Sequence, residues 1–233
     1  MRHLDLARVS QVVREQWDTL RAWLADIDVH DTRPSVLEGW TVAELVAHLA
    51  RCHRVIPGAV DAPEGTQPQS LAEYLSGYAA DAGAVAQGTR EQAVEIAADP
   101  LAAIDIAARR AWEALEDFGE HDHVVLAKRG PIMLSDLVVT RAVELVVHAD
   151  DLASSLGAPK PPVTRAALEL VAQAFLDIVV TRGGWSLEVV DPLLWVRLAA
   201  GRRPYDVDEL AAALRATHTA DSVPDLGTML PLV

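Results

Sequence analysis

The sequence predicts a mainly α protein: a four-helix bundle over residues 1–157, followed by a small α+β segment over residues 163–233. Three observations carry this reading. Of 233 residues, 51% are hydrophobic but only 5% aromatic, so the apolar content is mostly Ala, Leu and Val, and Ala and Leu are strong helix formers. Apolar residues recur at helical spacing through most of the first part of the chain. Beyond it, Ala158-Pro-Lys-Pro-Pro162 is the best linker, and shorter elements separated by turn residues follow.

Each element has a local justification. Residues 4–27 read as an amphipathic helix, with Leu6, Val9, Val12, Val13, Trp17, Leu20, Trp23 and Leu24 recurring at helical spacing. The segment from His30 to Pro34 ends it. Thr41 and Glu44 form a capping box, so a second helix runs from there to about Val55, stopped by Pro57-Gly58. A polar loop, 61–69, leads to a second capping box, Ser70 with Glu73, which starts a helix. Asp99-Pro100 restarts a helix that continues to Phe118. A β-like run from His123 to Lys128 precedes the turn signal Gly130-Pro131. Ser135 is the expected cap of a long helix, Asp136 to Leu156, closed by Gly157. After the linker come a helix over about 164–181, a Gly183-Gly184 turn, a strand from Trp185 to Val190 and a helix from Pro192 to Ala200.

Charge and cysteine usage exclude several functions. The net charge is −14, from 20 Lys+Arg against 34 Asp+Glu. Such a surface repels nucleic acid and an anionic membrane face. No apolar run approaches the ~20 residues of a membrane span, and the N-terminus lacks the apolar region of a secretion signal. The single cysteine, Cys52, excludes an internal disulfide and any site needing two thiolates from this chain. These features point to a cytoplasmic protein; they do not choose between a monomer and a homodimer. An anionic substrate would have to be drawn in by local charges rather than by the surface as a whole.

The long helix after residue 135 holds the chemistry. On a helical wheel Arg141, Glu144, His148 and Asp151 fall on one flank of the apolar stripe. Glu144 and His148 are four apart, one turn above the other at ~6 Å along the axis. Such a pair can chelate one divalent ion through bonds of ~2.0–2.2 Å, and the same spacing also serves an ordinary ion pair. A third ligand must come from another helix. His48 lies on the flank of the second helix with Cys52 one turn further on, while His53 lies nearer the centre of its stripe. Periodicity does not choose between the two histidines. Three ligands would leave one coordination position for water or substrate. His121 and His123 form a weaker H-x-H pair in a loop.

Two segments carry a resemblance. Gly39-Trp-Thr-Val-Ala-Glu-Leu-Val-Ala-His48-Leu49 resembles the "GWT…HL" helix of the mycothiol-dependent maleylpyruvate isomerase family, part of the DinB/YfiT-like metal-binding bundle superfamily. Arg141-Ala-Val-Glu144-Leu-Val-Val-His148-Ala-Asp-Asp151-Leu152, closing at Gly157, resembles its "R..E…H..DL…LG" helix. The resemblance covers about residues 5–157 and implies a DinB-like four-helix bundle. It selects His48 over His53 and implies that His48, Glu144 and His148 hold a divalent metal, zinc by family habit. The open metal position would activate the thiolate of mycothiol, the actinobacterial low-molecular-weight thiol, toward a small electrophilic or acidic substrate. Arg141 would orient a ligand or bind a substrate carboxylate. Asp151 would stand behind a ligand histidine, and Cys52 beside His48 as a rival ligand. The implied activity is that of a thiol-dependent isomerase or S-transferase; the other class in view is a non-catalytic metal-binding or regulatory module. The C-terminal segment, from Val190-Asp-Pro-Leu-Leu-Trp195 to the closing Asp225–Leu232 stretch, resembles a shortened bacterial sterol-carrier-like domain. Only one clear strand precedes its helix, so a lipid cavity is not expected. Arg197, Arg202 and Arg203 lie there.

Overall fold

A computed structural model describes residues 5–218 and 222–233. Its first helix, α1 (Leu6–Leu24), begins where Asp5 accepts the Ala7 and Arg8 amides. Leu6, Val9, Val13, Trp17, Leu20 and Leu24 are buried along it, while Val12 and Trp23 are only half-buried. Helix α2 (Val42–His53) starts at the Thr41–Glu44 capping box, in which both reciprocal bonds are present. It ends two residues short of Val55. Strand β1 (Val60–Asp61) follows.

The single helix expected from Ser70 is two, α3 (Leu71–Ser76) and α4 (Tyr78–Glu95), joined at Gly77. A side chain at Gly77 would meet Cδ of Arg129 at 3.2 Å, so the glycine lets that arginine cross the joint. Helix α5 (Pro100–Asp117) starts at Asp99, whose side chain accepts the Ala102 amide. Strands β2 (Val124–Ala127) and β3 (Gly130–Met133) form a hairpin with Lys128 and Arg129 at its turn. Together with β1 they make a three-stranded antiparallel sheet in the order β1-β2-β3.

Helix α6 (Leu134–Ser155) departs from expectation at its start. Ser135 is not the cap, because β3 runs straight into the helix and Met133 holds the cap position. Asp122, across the hairpin, accepts from both the amide and the hydroxyl of Ser135, at 2.9 and 2.7 Å. Helix α6 is buried on nearly every side from Leu134 to Ala153. It packs against α1 and α2, and α2 packs in turn against α4 and α5. A helix buried all round is normally apolar all round. Here Arg141, His148, Asp150 and Asp151 are buried within it, which marks where its polar groups must find partners.

The chain divides into two compact units, Met1–Thr164 and Arg165–Val233. The second holds α7 (Arg165–Gly183), β4 (Leu187–Val189), α8 (Pro192–Ala199), α9 (Val207–Ala213) and β5 (Leu214–Ala216). Trp195 is fully buried there and donates its indole N–H to Ala172 O at 2.9 Å. The lone strand expected before the Pro192 helix is paired: β4 lies antiparallel to β5. The fold is mainly α with a small α+β segment. No helix among the described residues is long and apolar enough to cross a membrane.

Candidate functional site

Helices α2 and α6 bring His48, Glu144 and His148 together, and their ligand-type atoms all lie within 4.8 Å of one another. Both histidines aim Nε2 at the same carboxylate oxygen. His48 Nε2 is 3.4 Å from Glu144 Oε2, and His148 Nε2 is 3.1 Å from it. Each ring is fixed from behind through Nδ1. His48 Nδ1 lies 3.2 Å from Thr89 Oγ1, on α4, and His148 Nδ1 lies 3.0 Å from Asp151 Oδ2. Asp151 is not the solvated acid that a helix end suggests but is 1% exposed. The two imidazoles meet edge to face at 4.8 Å, and Trp40, from the segment before α2, packs its ring on His48 at 5.2 Å.

Burial and charge set the protonation states. Burial disfavours ionised Glu144, but hydrogen bonds from His148 and His48 and the Arg141 charge outweigh it, and hold the carboxyl well below its usual range. Burial pushes His148 down, yet its bonds to Asp151 and Glu144 prevail and raise it to about 9. His48 is lowered, because burial outweighs its bond to Glu144. Cys52 Sγ lies 3.5 Å from Glu144 Oε2, and burial together with that carboxylate pushes its thiol well up. It is therefore a protonated neighbour of the group.

Arg141 is buried, and its donors are taken up within the protein. Nη1 donates to Cys52 O at 3.0 Å, Nη2 donates to Tyr78 Oη at 2.9 Å, and Nε and Nη2 reach Thr140 Oγ1. Its guanidinium stays 3.9 Å from Glu144. His121 and His123 are not brought to this group; His123 bonds Asp61 at 2.8 Å instead. Arg197, Arg202 and Arg203 belong to the second unit, where Arg203 pairs with Glu209. Among the residues around the triad, Thr89 and Tyr78 had no sequence signal, since both arrive on α4 from far along the chain. Trp40 stood within the GWT motif, which was the signal that could have found it.

A cavity of about 230 Å³ opens beside the triad, with His48, Cys52, Arg141 and Glu144 in its wall. Residues 13–153 match the family model described as the mycothiol maleylpyruvate isomerase N-terminal domain. Among solved structures, the crystal structure of the mycothiol-dependent maleylpyruvate isomerase aligns with a TM-score of 0.57 at 18% identity, over 95% of each chain. A histidine-to-alanine mutant of that isomerase aligns with a TM-score of 0.56 at 17% identity, also over 95% of each chain. At such identity the likeness is one of fold. No curated protein matches the chain in sequence.

Proposed function

Because the chain belongs to the mycothiol maleylpyruvate isomerase N-terminal domain family, we propose that it binds a divalent metal on His48, Glu144 and His148 and serves as a thiol-dependent isomerase or S-transferase. One observation supports this most. Both Nδ1 atoms are engaged by Thr89 and Asp151, which leaves both Nε2 atoms to converge on one carboxylate. That donor set, two imidazoles and a carboxylate, fits zinc with a position left open. A bound ion would supply Lewis acidity, lowering the pKa of a thiol such as mycothiol.

The chain's own groups perform the rest. Thr89 and Asp151 orient the two imidazoles. Arg141 orients the ligands, keeping Glu144 ionised and bracing the end of α2 through Cys52 O. Cys52, the one thiol of the chain, is held protonated, so the reacting thiol is a small cosubstrate and the partner a small electrophilic or acidic molecule, in the cytoplasm. A second reading, a non-catalytic metal-binding module, draws on the commitment of Arg141 donors to Cys52, Tyr78 and Thr140.

Metal analysis of the purified wild type and of His148→Ala tests the site. Stoichiometric metal in the wild type and none in a folded variant is expected; equal content in both overturns the assignment. A thiol-transfer assay with mycothiol and a panel of electrophiles then separates the readings. Stoichiometric metal without thiol-dependent turnover would leave the non-catalytic module.

A further inference from the structure

We infer that the rim of the cavity beside the triad is a subsite for a small carboxylate-type oxyanion, formed by Arg51 of α2, by Arg54 at that helix's C-cap and by Lys128 and Arg129 of the β2–β3 turn. The inference deepens the proposed function and rests on it only in taking this cavity as the way in for substrate.

Four cationic side chains besides Arg141 line the one cavity, and Glu144 is its only lining carboxylate among the described residues. The chain around it carries a net charge of −14, so a chance surface would bring acids to this rim, not bases. The cations are only partly neutralised. Asp81 serves both hairpin residues, 2.9 Å from Arg129 Nη2 and 3.5 Å from Lys128 Nζ. Arg51 donates to a neutral acceptor, Gly88 O, at 3.0 Å. Gly88 has no side chain to obstruct it; a Cβ there would fall 2.7 Å from the guanidinium nitrogens.

Arg129 is set in place before any ligand arrives. Its guanidinium lies over the Tyr78 ring at 4.2 Å and near Tyr74 at 5.9 Å, and it crosses α3–α4 at Gly77. Its Nε is buried with no hydrogen-bond partner. A fixed guanidinium fork loses little freedom on binding and matches a carboxylate in a way that a solvated lysine does not. Cations gathered at a concave, low-dielectric wall also focus the field on whatever enters. An anion there would share Arg129 and Lys128 with Asp81 and extend the rest of the molecule toward the triad.

The test is calorimetric titration of the zinc-loaded full chain with succinate and with its neutral analogue succinamide. Succinate is expected to bind, more weakly as salt rises, and succinamide is not. Arg51→Gln and Arg129→Gln should each weaken succinate about tenfold, the worth of a charge-assisted hydrogen bond. Asp81→Asn should tighten it, an effect that loss of packing would not produce. Equal binding of the diamide, or unchanged affinity in both arginine variants, overturns the subsite. Saturating mycothiol assigns the oxyanion: undiminished succinate binding places it on the electrophile, and competition places it on the thiol. The same titration on metal-free protein keeps the two ideas apart. Stoichiometric zinc without succinate binding sinks the subsite and spares the metal site; succinate binding in a chain that takes up no zinc does the reverse.

Discussion

Helix α2 carries two buried histidines, 7% and 2% exposed, in opposite circumstances. His48 has a hydroxyl behind it and a carboxylate in front. His53 lies between the edges and faces of Trp17, at 4.5 Å, and Trp112, at 5.7 Å, with Nε2 lacking any hydrogen-bond partner among the described residues. Burial, with the nearby Arg141 charge, pushes His53 down to about 3. Helical period delivers both imidazoles to the interior. What arrives from α1, α4, α5 and α6 sets one imidazole among polar groups and the other between indole rings. His48→Ala should therefore cost the largest effect available here, over a hundredfold in zinc affinity, more than the 10–100-fold typical of losing a group behind a ligand. His53→Leu should leave zinc affinity unchanged. Competition with a chromogenic chelator measures both, and a comparable loss in the two variants would break the comparison.

The same pair differs in acid. His53 titrates near 6.5 when unfolded and at about 3 when folded, so between those values the folded state binds fewer protons. Its contribution is fully present above about pH 6.5 and is lost as pH falls toward 3, at no more than about 1.4 kcal/mol per pH unit. His53→Leu should remove that slope. At pH 4.5 the variant should stand about 2 kcal/mol better against wild type than it does at pH 7. Urea midpoints at the two pH values measure it; parallel shifts would mean that His53 is not held neutral.

The contrast between near and far partners also governs what could be read from the chain. The capping boxes at Thr41–Glu44 and Ser70–Glu73 were legible because cap and partner sit three residues apart. The flank shared by Glu144, His148 and Asp151 was legible for the same reason. Strand β1 was not, since its two residues are a strand only by pairing with Leu126 and Val125. Strand β5 follows α9 directly and exists through β4, far back in the chain. The cap of α6 was misplaced at Ser135 because the acid that serves it, Asp122, lies across a hairpin. Periodicity does not choose between His53 and His48; only the motif around Gly39-Trp40-Thr41 separated them, while Thr89, the hydroxyl behind His48, lies 41 residues away.

Two carboxyls of α6 repeat the comparison more mildly. Glu144, among cations, is held low, whereas burial and the neighbouring Asp122 raise Asp136 to about 6. For Asp136 the folded value exceeds the unfolded one, so its stabilising contribution is complete below about pH 4 and is lost as pH rises through 6. Asp136→Asn should gain about 1–2 kcal/mol at pH 7, the full shift discounted for partial exposure, and nothing at pH 3.5. Chemical denaturation at both pH values checks the sign; a gain that persists at pH 3.5 would point to packing rather than charge.

The smallest expected effect tests the comparison at its root. If the hydroxyl behind His48 separates it from His53, Thr89→Val should weaken zinc about tenfold, the lower end for losing a group that orients a ligand histidine. Valine keeps the shape and burial of threonine, so the melting temperature should move little. If Nε2 were given to a bound metal, Nδ1 would carry the proton and donate it to Thr89 Oγ1. Valine accepts nothing, which leaves a buried N–H unpaired and the ring free to turn. Thr89→Ser restores the acceptor and should restore most of the affinity, which a purely steric role for the methyl group would not allow. Wild-type affinity in Thr89→Val would shift the orienting role to the Trp40 ring against His48. The two histidines of α2 would then differ by the carboxylate in front of them alone.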